Sequence, residues 1–154
     1  MYKFIQTFTM DQHLISDKLA IMKFIMAGKA IFTLHNEDSN VRFTYKVEQA
    51  DDKSCYFVSL LTGCDNSHNY SYIGILRDGN FYSTKKTKVK VDSPSFRGAD
   101  WLFNKAMKSP AQLPAPMKFY HIGCCGRCGR PLTVPASIIN GIGPECERLM
   151  AQGR

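Results

Sequence analysis

The sequence predicts an α+β body, an antiparallel sheet of about five strands packed by two helices, followed by a small C-terminal cysteine module. Three observations carry that expectation. Short runs with a period of two crowd residues 30–84 and are joined by polar turns, as antiparallel strands require. A helical apolar pattern precedes them and another follows. Four cysteines, Cys124, Cys125, Cys128 and Cys146, gather beyond a proline-rich stretch, while Cys55 and Cys64 stand alone.

The first helix is expected over 12–27. Thr9-Met-Asp-Gln12 fits a capping box, and Ser16 offers a second start. Ile15, Leu19, Met22 and Met26 recur at helical spacing, with Ile21, Phe24 and Ile25 widening the apolar face. Gly28 supplies a left-handed residue to end it. Strands at 30–34 and 41–47 flank the polar turn 35–40. In the second, Phe43, Tyr45 and Val47 alternate with Arg42, Thr44 and Lys46, the pattern of a strand with one wet face. The run 56–61 is apolar on both faces and suits a central strand. After a polar loop at 62–69, a strand at 70–76 turns tightly through Arg77-Asp-Gly-Asn80 into 81–84. Ser93 then caps a second helix with Pro94 at its first position. Phe96, Ala99, Phe103 and Ala106 line one side of this helix; Trp101, Lys105 and Lys108 fall on another. The prolines within 109–116 make a stiff linker. The chain therefore divides into a body (1–108), a linker (109–116) and a module (117–154).

A chain of 154 residues, 44% hydrophobic and 21% charged, can bury a core without disulfides. Its most apolar stretches, near 20–27 and 55–61, fall short of the ~20 residues that cross a bilayer. The first residues lack a basic segment followed by a long apolar run. The expectation is a cytoplasmic protein without a membrane partner. No Ser/His/Asp set, phosphate loop or close carboxylate pair is apparent, and His13, His35 and His68 are scattered. A non-enzymatic protein with no small-molecule substrate follows.

Clustered cysteines in a reducing compartment point to metal or redox chemistry rather than disulfides. Cys125-Gly-Arg-Cys128 followed by Gly129 has the shape of a zinc knuckle, in which a tight turn brings two thiolates to one ion. Gly129 permits the positive φ that such a turn needs. Pro144 suits a first helical turn and sets Cys146 near a helix N-terminus, where partial positive charge favours a thiolate. For the fourth ligand His121 is favoured, four residues before Cys125. Cys124 is the rival, but adjacent side chains of an extended segment point to opposite sides. A structural zinc held by His121, Cys125, Cys128 and Cys146 is the expectation. No thioredoxin-like strand precedes the pair, which disfavours a redox couple, and a zinc deaminase would need a His-x-Glu arrangement that is missing.

The segment Cys125-Gly-Arg-Cys128-Gly-Arg-Pro-Leu-Thr-Val-Pro-Ala-Ser-Ile, with Gly141-Ile-Gly-Pro-Glu-Cys146, resembles a family of short cysteine modules classed as a domain of unknown function. That family is seen mainly in proteins of bacteriophages and their bacterial hosts, and often has a His four residues before the first Cys, as His121 is here. The resemblance spans about 118–150 and is looser over 24–107. It implies phage origin and zinc binding, and a variable residue at position 124. It carries no activity.

Charge is unevenly shared. Residues 1–79 hold 8 Lys/Arg against 9 Asp/Glu, whereas 80–154 hold 12 against 4. A basic half suits phosphate backbones or an acidic protein. Lys85, Lys86, Lys88 and Lys90 are interleaved with small and β-branched residues, and the last three share one face if the segment is extended. Arg127 and Arg130 add charge at the knuckle, Trp101 can stack on a base, and Tyr70, Tyr72 and Phe81 can form a platform. Nucleic acid bound through the basic half is thus the leading expectation. The alternative is a module that inhibits or redirects a host protein, for example in defence, since aromatics and arginines also mark protein interfaces.

Overall fold

The computed structural model describes residues 13–63 and 68–154. The expected capping box at 9–12, and Cys64, lie outside the described residues. The first helix, α1, runs over Lys18–Ile25, with the Asp17 carboxylate accepting from the Ala20 N–H at 3.1 Å. It is shorter than the periodicity suggests because the preceding residues join the sheet. Leu14 bridges to Tyr120, and the Ile15 N–H donates to the Phe119 carbonyl at 2.9 Å. The buried stripe is also rotated from the expected one. Ile21, Phe24 and Ile25 are buried, whereas Leu19 is 73% exposed. Lys18 lies on that stripe and donates from Nζ to the Ala106 carbonyl at 3.1 Å, which satisfies its buried ammonium.

Six strands follow: β1 (Lys29–Asn36), β2 (Val41–Gln49), β3 (Tyr56–Leu61), β4 (Tyr70–Arg77), β5 (Asn80–Tyr82) and β6 (Met117–His121). All neighbours are antiparallel, in the order β5-β4-β3-β2-β1-β6. The sixth strand, added to the expected five, comes from the segment read as a separate module. It pairs with β1 from Asn36↔Met117 to Phe32↔His121. Cys125, Ile142 and Cys146 share one buried cluster with Phe32, Tyr45 and Val58. Residue 117 therefore marks no break in packing: the last third is built onto the edge of the sheet.

The second helix is capped as expected. The Ser93 hydroxyl accepts from the Phe96 N–H, Pro94 opens the helix, and α2 covers Pro94–Trp101. It continues as a π-helical turn over Leu102–Ala106, where the Met107 N–H donates to the Leu102 carbonyl. The wider turn places Asn104 against the end of β5. Its side chain accepts from the Phe81 N–H at 2.9 Å and donates to the Phe81 carbonyl at 2.7 Å, doing for that short strand what another strand would. Both α1 and α2 cover the inner face of the sheet, contributing Phe24 and Phe96 to the core. Two short helices, α3 (Pro135–Asn140) and α4 (Pro144–Ala151), complete the chain. No helix among the described residues is long and apolar enough to cross a membrane.

Candidate metal centre

The knuckle begins where β6 ends. The Cys125 N–H donates to the Arg130 carbonyl at 2.8 Å, and the Gly129 N–H donates to the Cys125 carbonyl at 2.9 Å, closing the loop on itself. Gly129 has φ +80°, the left-handed turn that its position after the pair predicts. Gly126 is required for a different reason: a β-carbon there would lie 2.7 Å from the Phe24 ring. Its carbonyl accepts from the Lys29 N–H at 2.6 Å, and its N–H donates to the Gly141 carbonyl at 2.9 Å. The knuckle is thus stitched to α1, β1 and the α3–α4 turn at once.

Gly143 caps α4 with Pro144 first in the helix, which brings Cys146 into its opening turn as expected. The sulfurs of Cys125, Cys128 and Cys146 lie within 4.8 Å of one another. Backbone N–H groups of Arg127 (3.4 Å) and Gly143 (3.3 Å) point at the Cys125 sulfur. Burial opposes ionisation of Cys125, but donation from Gly143, Cys128 and Arg127 outweighs it and holds the thiol below its ordinary value. Cys146 goes the other way, pushed up to about 11 by burial and by its bonds to the neighbouring sulfurs. The helix N-terminus does not prevail there, because three sulfurs this close cannot all be thiolates unless a cation compensates them. Three soft donors, one stabilised as an anion by two amides, form a set able to hold a metal ion.

His121 does not join them, contrary to the expected Cys₃His set. The Gly123 N–H donates to its Nδ1 at 2.9 Å, which leaves the proton on Nε2, and Nε2 donates to the Ile138 carbonyl. The ring stacks on His13 with centroids 4.7 Å apart and is buried on the sheet's inner face. Burial lowers its pKa, in keeping with a neutral ring that ties β6 to α3. Cys124 is also outside the group. It bridges to Pro131, and burial with the nearby Cys125 and Cys128 pushes its thiol up.

Residues 115–151 match a family of unknown function, DUF6011. The matched segment takes in β6, α3, α4 and all three gathered cysteines, while β1 to β5 and α2 lie outside it. No curated protein and no solved structure matches the chain.

The residues expected to bind nucleic acid are not one surface. Lys85, Lys86, Lys88 and Lys90 are exposed on a loop after β5, turned at Thr84–Thr87 rather than extended. The Lys88 N–H donates to the Tyr72 carbonyl, so the loop runs along β4. Arg127 and Arg130 lie beyond β6, at the opposite end of the strand order, and the Arg127 guanidinium donates to the Arg154 carbonyl. Trp101 is half-buried in a groove of about 500 Å³ with Phe43 and Arg97. Phe81 is in the core against Phe96 and Phe103 and cannot serve a platform. Its place is taken by Phe57, which residue-by-residue reading missed. Phe57 is 43% exposed on the outer face of β3, edge-on to Tyr72 at 6.3 Å, with Tyr82 (42% exposed) two strands away in the same row. The outward phase of β3 and β4 was the only signal that could have found it.

Proposed function

We propose that this chain is a non-catalytic, zinc-clipped protein of phage type that binds nucleic acid on the outer face of its sheet. The juxtaposition of Phe57, Tyr72 and Tyr82 with the loop bearing Lys85, Lys86, Lys88 and Lys90 carries the reading. Rings on an open face offer stacking to any base, and lysines beside them neutralise phosphates. Lys46 lies beside the same rings, with Nζ 4.7 Å from the Tyr70 ring centroid and 3.0 Å from the Glu48 carboxylate. Zinc is the metal best suited to tetrahedral, sulfur-rich sites of this kind, and here it would hold α4 against the knuckle. Phage origin is carried by the resemblance of the cysteine module.

Titration of fluorescent single- and double-stranded DNA at low and moderate salt tests this. Single strands bind more tightly, the affinity falls steeply with salt, and Phe57→Ala and Tyr82→Ala weaken binding. Absence of binding at low salt overturns the reading. A partner-protein function would then lead, favoured by the groove at Trp101, Phe43 and Arg97.

A further inference from the structure

The three sulfurs do not stand over packed protein. A cavity of about 330 Å³ opens at the site, and Cys125, Cys128 and Cys146 all line it, together with Arg130, Thr133 and Glu145. Among the described residues no fourth Cys, His, Asp or Glu atom falls within the sulfur group. Neither rival for that position joins the group: both ring nitrogens of His121 are spent on backbone groups, and the Cys124 sulfur lies outside the three that gather. The Glu145 carboxylate accepts from the Arg148 guanidinium. Arg130, by contrast, is exposed on the cavity wall.

Four donors satisfy zinc in a closed structural site, and three donors with an accessible fourth position define an open one. We propose that this centre is of the open kind: three thiolates from the chain, and a fourth position facing the cavity that accepts an external monodentate anion, a thiolate or a carboxylate. The inference rests on the metal reading above. Arg130 supplies the positive charge that an anion entering this cavity meets, and the soft sulfur environment suits a thiolate best. A side chain presented by a partner and a free small molecule share this chemistry.

Cobalt(II) in the full-length protein reports on it, because its visible bands respond to the donor set. Azide and 2-mercaptoethanol are expected to shift those bands saturably, and Arg130→Gln is expected to weaken azide several-fold without changing cobalt affinity. X-ray absorption of the zinc-loaded wild type is expected to show three sulfurs and one light atom. His121→Gln is expected to leave the cobalt bands in place. A tetrapeptide with one Cys, compared with its Ser analogue, extends the test to a presented side chain. Four sulfurs, or cobalt bands that ignore both probes and change in His121→Gln, would show a closed site and overturn the proposal alone. Failure to bind either metal would overturn it together with the metal reading.

Discussion

The ring of Phe24 occupies the space that a side chain at position 126 would need, with Cδ2 2.7 Å from a β-carbon built on Gly126. A helix residue far away in sequence thereby sets how close the knuckle can come to the body. Gly126→Ala forces the knuckle or α1 to move. We expect a loss of about 1–3 kcal/mol in chemical denaturation, the usual range for overpacking, with faster alkylation of Cys125 and Cys128 in the native protein.

The two adjacent cysteines should part in their behaviour. Cys124→Ser is expected to retain one metal per chain by elemental analysis, since its sulfur is outside the group. Cys125→Ser is expected to abolish binding, because it removes the sulfur that the Arg127 and Gly143 amides address.

Without metal, stability should depend on Cys146. Its folded pKa, about 11, is above the ordinary 9.0, so the folded state favours the protonated thiol. That contribution is fully present below pH 9 and is lost as pH rises through 11. Metal binding reverses the trend, because ligation needs thiolates and releases protons. Because Cys125 is held below its ordinary value, its contribution grows as pH rises towards 9. Thermal melts of metal-free protein should therefore fall only above pH 9, as the Cys146 contribution is lost. Chelator competition should show affinity rising from acid to neutral pH.

Asn104 makes the end of β5 depend on the π-helical turn. Asn104→Asp keeps the shape but loses the donor to the Phe81 carbonyl and sets a carboxylate near Asp100, to which Asn104 also donates. The expected cost is about 1–3 kcal/mol in urea melts, the penalty for a hydrogen-bonding group left unsatisfied.

If the lysine loop neutralises phosphates, removing any one of its charges should flatten the salt dependence. Lys86→Glu and Lys88→Glu are each expected to reduce the slope of log affinity against log salt for single-stranded DNA by about 0.7 or more. Arg127→Glu, at the far end of the strand order, should leave that slope unchanged.

Local chemistry was legible without coordinates wherever neighbours in sequence decide it. Ser93 and Pro94 start α2 because a hydroxyl cap and a fixed φ act within one turn. The alternation of β2 reports its buried face, and Gly129 reports the knuckle's left-handed residue. The grouping of Cys125, Cys128 and Cys146 was readable too, from a tight pair and a proline-started helix. Other expectations failed for reasons of distance along the chain. The length of α1 depended on β6, which captures Leu14 and Ile15 from the far end of the sequence. His121 has the right residue type and spacing for a ligand, yet Gly123 and Ile138 take both its nitrogens.

By itself, the order of residues determined the α+β class, the buried face of β2 and which sulfurs meet, since periodicity and turn chemistry act over a few residues. Tertiary packing decided that the last third belongs to the sheet, that His121 serves the fold, and that Phe57 rather than Phe81 faces outward. Those outcomes turn on which edge is left to pair and which backbone groups need partners, and both are set only when distant segments meet.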